Sequence, residues 1–110
     1  MRMAEVYRKE FAIAECPSNI DSPTVLAAQA ANELLDISGI KASFVLTVYE
    51  GKIYMSARSI DEVNVQIIAE KLGGGGHINS AGAQFDHTNM EEAIKALKET
   101  IDRMIEEGDI

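Results

Sequence analysis

Hydrophobic positions along the chain change period several times, and each change marks an element. In EFAIAEC, residues 10–16, Phe11 and Ile13 alternate with smaller or polar neighbours, the period-two pattern of a strand. CPSNIDSP is turn chemistry, in which Ser22 can cap a helix with Pro23 at its first position. VLAAQAANELLDI then places Leu26, Ala30, Leu34 and Ile37 on one helical stripe, with Gly39 as its stop. SFVLTVYEGKIYMSARS reads as two β-rich runs around a tight turn at Glu50-Gly51. In the second run Ile53, Met55 and Ala57 point one way, and Tyr54, Ser56 and Arg58 form a polar line on the other. Asp61 can cap a further helix, EVNVQIIAEKL, with Val63, Ile67 and Ile68 mainly inward and an end at Gly73. AGAQFD reads as a short strand, and TNME (88–91) fits a capping box. Ile94, Leu97, Ile101 and Met104 then follow at helical spacing. The predicted order is β-α-β-β-α-β-α. It describes one domain over residues 1–110 of the α/β class (an α+β mixed sheet), with helices packed on a mixed four- to five-stranded sheet.

Composition narrows the function classes. A chain of 110 residues makes one domain with a modest core. It contains no apolar run long enough to span a membrane and no apolar segment behind the first charges that would make a signal peptide. The single cysteine, Cys16, excludes an internal disulfide and suits a reducing compartment, so a cytoplasmic location is expected. Cys16 sits beside a proline and reads as packing rather than as a nucleophile. The net charge of −8 argues against long nucleic acids, which are bound largely through Lys and Arg on phosphates. A small anion stays compatible where local donors outweigh the global field. The acidic cluster Glu91, Glu92, Glu99, Asp102, Glu106, Glu107 and Asp109 reads as a solvated helix face.

The least ordinary stretch is LGGGGHINSAG, residues 72–82. Gly73 can end a helix, and Gly74, Gly75 and Gly76 could be a flexible connector. The thirty or so residues that follow are too few for a second domain, which weakens the linker reading. Alternatively, glycines without Cβ let the backbone approach a ligand, and successive N–H groups can form an anion-binding nest. A helical turn opening at His77 would add free N–H groups, and the imidazole is a further donor, stronger when protonated. The run is neither a Walker A loop nor a dinucleotide fingerprint. Arg58 either pairs with Asp61 or Glu62 on the surface or, ending a strand beside Ser56, holds a phosphate. Asn64 either caps the next helix or bonds a nucleotide base or sugar, and His87 reads as a surface residue. No metal-ligand spacing and no Ser/His/Asp or Cys/His constellation is present.

MSARS (55–59), VNV (63–65) and GGGGH (73–77), in that spacing, resemble the DHH-associated C-terminal domain of DHH phosphoesterases. The likeness covers nearly the whole chain. The wording is closest to the cyclic-di-AMP phosphodiesterases of the GdpP type. The resemblance implies a manganese-dependent hydrolase whose two metal ions sit in a DHH catalytic domain that this sequence lacks, and hence a fragment of a longer protein. It implies that Gly74, Gly75, Gly76 and His77 grip the substrate phosphate, with Arg58, Asn64 and Ser56 as further substrate contacts. Asn64 stands where many relatives have Asp, and INSAGAQF departs from the run usual in that branch. The isolated chain is expected to bind nucleotide without turning it over, since two-metal hydrolysis needs the missing ligands. The implied partners are a cyclic dinucleotide or short oligonucleotide and the DHH domain of the same protein, which a separate N-terminal segment could anchor to the membrane. The alternatives are an oligoribonucleotide phosphoesterase of the nano-RNase type and a non-catalytic binding module that homodimerises through its sheet.

Overall fold

The structure, a computed structural model, describes residues 4–16, 23–61 and 63–108. The predicted turn after Cys16, its Ser22 cap, Glu62 and Asp109 lie outside the described residues. The elements are β1 (Ala4–Tyr7), β2 (Phe11–Glu15), α1 (Pro23–Leu34), β3 (Ala42–Tyr49), β4 (Lys52–Ser59), α2 (Val65–Lys71), β5 (Gly75–His77), β6 (Ser80–Phe85) and α3 (Met90–Glu107). They form one six-stranded mixed sheet in the order β1-β2-β3-β4-β6-β5. β2 and β3 are parallel and joined through α1; all other pairs are antiparallel. The sheet thus exceeds the predicted four to five strands by β1 and β5, one at each edge.

Two cores lie on opposite faces of the sheet. Phe11, Phe44, Leu46, Met55 and Ala57 pack with Ile68 of α2 and with Leu97, Ile101 and Met104 of α3. Ala12, Ala14 and Val45 pack with Ala27, Ala30, Ala31 and Leu34 of α1. β3 is buried along most of its length, as a continuous apolar run covered on both faces requires. The alternation predicted for β4 holds, with Ile53, Met55 and Ala57 buried and Tyr54, Ser56 and Arg58 half-buried. Its hairpin closes at Glu50-Gly51, both with positive φ, the conformation that matches the strand twist.

Local boundaries move from those predicted. α1 ends at Leu34, and Leu26 and Ile37 are exposed rather than inward. The small side chains of Ala27 and Ala31 face the sheet instead, where Ala12 and Ala14 leave room only for a close helix. Asp61 does not cap α2. It takes a left-handed φ of 55°, and Asn64 caps by accepting from the Ile67 N–H at 3.2 Å. Likewise Asn89, not Thr88, caps α3, accepting from the Glu92 N–H at 2.8 Å. β1 is held from a distance: the Tyr7 hydroxyl donates to both carboxylate oxygens of Asp102 at 2.8 and 2.9 Å, and Arg8 joins the same carboxylate at 3.0 Å. That hydrogen bond, and then burial, raises the Tyr7 pKa. Asp102 is therefore a tether within the otherwise solvated acidic face. Among the described residues no helix is long and apolar enough to cross a membrane.

Candidate functional site

The glycine run resolves into three structural jobs. Gly73 follows the C-cap of α2 with φ 93°. Gly74 lies so close to β6 that a Cβ there would collide with the Gly82 carbonyl oxygen and with Ala83. Gly76 combines φ 145° with close approach to Ser80 and Ala81. Gly75 needs neither: its φ is not positive, and a Cβ would meet nothing within 4 Å. The run is therefore not a loop. Gly75–His77 forms edge strand β5, and residues 78–79 make a two-residue turn into β6. No helical turn starts at His77, because the chain reverses at once into the ladder with Ser80 and Ala81. The expected nest of converging N–H groups gives way to a strand edge.

The pairing register puts Ser56, Arg58, Gly75 and His77 on one face of the sheet, whereas Gly76, paired with Ala81, belongs to the face that α2 and α3 cover and Asn64 caps α2 there. Arg58 of β4 faces Ser80 of β6, and Ser80 faces His77 of β5. Directly paired residues leave an antiparallel sheet on the same side. One row further along, Ser56, Gly82 and Gly75 repeat the arrangement, and Tyr54 and Gln84 flank it. Ser43 and Val45, the β3 partners of Arg58 and Ser56, lie under α1. The row is thus on the α1 face, beyond the helix, where Ser80 and His77 are exposed. The acidic helix α3 packs on the opposite face.

Arg58 donates Nη1 to the Ala57 carbonyl at 2.8 Å. Among the described residues no carboxylate pairs with it, so the ion pair with Asp61 weighed from the sequence does not form. Arg58 and His77 stand on the same face as Gly75 and Gly82, and a guanidinium and an imidazole are a donor set suited to a phosphate. Asn64 turns its Oδ1 to the α2 cap. His87 is exposed in the bend before α3, as expected. Cys16 is half-buried against the α1 core, and burial pushes its thiol pKa up. Among the described residues no group of His, Cys, Asp or Glu is placed to hold a metal ion.

Sequence reasoning missed Ser59, Asn79 and Ser80. Ser59 Oγ donates to the Val63 carbonyl at 2.6 Å and accepts from Asn79 Nδ2 at 2.8 Å. The signal was present as HINS, a turn-forming Asn between two short runs, but glycines hid the strand before it.

The profile of the DHHA1 domain family matches residues 9–106. Cyclic-di-AMP phosphodiesterase PdeA of Listeria monocytogenes is 44% identical over 99 residues, covering 89% of this chain and 15% of that protein. Cyclic-di-AMP phosphodiesterase GdpP of Bacillus subtilis is 43% identical over 106 residues, covering 94% of this chain and 16% of that protein. The chain therefore spans about one sixth of the length of these relatives. An exopolyphosphatase-related protein from Bacteroides fragilis shares the fold with a TM-score of 0.77 at 23% identity, covering 92% of this chain and 31% of that one.

Proposed function

Because the chain belongs to the DHHA1 domain family, we propose that it is the nucleotide-gripping domain of a phosphodiesterase acting on cyclic-di-AMP. The observation that carries the reading is the cross-strand row Arg58–Ser80–His77 on an exposed face, with no carboxylate among the described residues paired to the arginine. Arg58 and His77 bind and orient a phosphate there, while the bare backbone of Gly75 lets the ligand lie close. Ser56 and Ser80 offer hydroxyls on the same face.

In this reading the two manganese ions of the reaction belong to a DHH domain. The described residues of this chain do not fit such ions, so its contribution is substrate positioning. Ile60 and Ile78, 40% and 45% exposed beside this end of the sheet, suit coverage by that further domain.

Calorimetric titration with cyclic-di-AMP, its linear dinucleotide product and a short oligoribonucleotide tests the reading, with His77→Ala alongside. Saturable binding of cyclic-di-AMP that weakens in the variant supports it. Preference for the oligoribonucleotide moves the assignment to that branch. Binding unaffected by the substitution removes the phosphate site.

A further inference from the structure

β5 is a three-residue edge strand, and two of its residues are glycines. Such a strand pairs on one side only and loses much backbone freedom on ordering, so it holds His77 weakly by itself. The turn at its end is fastened elsewhere. Asn79 Nδ2 lies 2.8 Å from Ser59 Oγ, 3.2 Å from the Asp61 carbonyl and 3.4 Å from the Val63 carbonyl. The Asn79 carbonyl accepts from the Ser59 N–H at 3.1 Å, and the Ile78 carbonyl accepts from the Val65 N–H at 2.9 Å. The left-handed φ of Asp61 belongs to the loop that brings its carbonyl to this amide.

These contacts join the hairpin tip to the end of β4 and to the first residue of α2. Arg58 immediately precedes Ser59, and His77 lies two residues before Asn79. The Ser59–Asn79 contact therefore ties the strand carrying the guanidinium to the hairpin carrying the imidazole. We infer that Asn79 is a positioning residue that sets His77 against Arg58, acting through Ser59 and without touching the ligand. Its Nδ2 is engaged by Ser59 Oγ and by the Asp61 and Val63 carbonyls, and Ser59, next to Arg58 on the strand, faces the opposite side of the sheet. The inference rests on the proposed nucleotide site and names the side chain that keeps that site in register.

A double-mutant cycle in the intact protein tests it, with cyclic-di-AMP as the probe and His77→Ala, Asn79→Ala and the double variant compared by calorimetry. Each single substitution is expected to weaken binding roughly tenfold, the loss of one charge-assisted contact or of its alignment. The double variant is expected to bind about as His77→Ala does, because coupled residues are not additive. Losses that multiply, or an Asn79→Ala protein that binds like wild type, overturn the inference while leaving the site intact. A wild-type protein without affinity for the probe, or a His77→Ala protein with full affinity, overturns the underlying reading instead. If Asn79→Ala does not fold, Ser59→Ala removes the same side-chain contact from the other end and takes its place in the cycle.

Discussion

Arg58 and His77 are both direct cross-strand partners of Ser80, one from β4 and the other from β5, so their side chains leave the sheet on the same face. Two strand spacings separate their backbones, roughly 10 Å. They are nineteen residues apart in sequence and meet only because β6 is inserted between their strands.

Arg58→Lys is expected to weaken cyclic-di-AMP binding roughly tenfold although charge is kept, since an ammonium cannot reproduce the planar fork. Stability should change by less than about 1 kcal/mol, because the guanidinium makes one hydrogen bond to its own neighbour's carbonyl. Isothermal titration and urea unfolding measure the two effects separately. A lysine variant with full affinity would remove bidentate recognition.

Asn64 presents the reverse balance. Its Oδ1 caps α2, so Asn64→Ala should cost about 1 kcal/mol of stability. Asn64→Asp keeps the capping oxygen and should restore that stability, while adding a negative charge at the start of α2. If Asn64 also touches a nucleotide, affinity for cyclic-di-AMP falls in Asn64→Asp with the melting temperature unchanged. Equal affinity in Asn64→Asp and wild type would leave the residue a cap alone.

The parts of the fold read from sequence were those governed by local pattern. Alternation along β4 placed Ser56 and Arg58 on the face opposite Met55 and Ala57, as observed. Helical spacing gave Leu97, Ile101 and Met104 as core positions, and all three are buried. β1 escaped because Ala4, Glu5 and Val6 are exposed and its anchor, Tyr7 to Asp102, joins residues 95 positions apart. β5 escaped because glycine carries no strand propensity, and its strand exists through β6. Cap positions slipped because Asp61 and Asn64, like Thr88 and Asn89, are all capping residue types, and only the surrounding contacts choose between them.

Cys16 should behave as a packing residue. Burial raises its thiol pKa, so less thiolate is present near pH 8 in the folded chain than in the unfolded one. Reaction with a disulfide reagent at that pH should be slower in the native protein than in urea, and the gap should narrow as pH rises through the elevated pKa. A native rate equal to the denatured one would contradict the half-buried placement against the α1 core.

The glycines offer a separation of fold from ligand within consecutive residues. Gly74→Ala forces a Cβ into the Gly82 carbonyl and should cost about 1–3 kcal/mol. Gly76→Ala adds an unfavourable φ to a collision with Ala81 and should cost at least as much. Gly75→Ala meets no atom and no forbidden φ, so its stability should stay within about 0.5 kcal/mol of wild type. Its methyl group nevertheless leaves the sheet on the same face as the Arg58–Ser80–His77 row. If the ligand lies on that backbone, cyclic-di-AMP binding in Gly75→Ala falls roughly tenfold without any loss of stability. Urea unfolding and titration of the three variants side by side give the answer. A stable Gly75→Ala protein with undiminished affinity would mean that the nucleotide does not rest on the glycine strand.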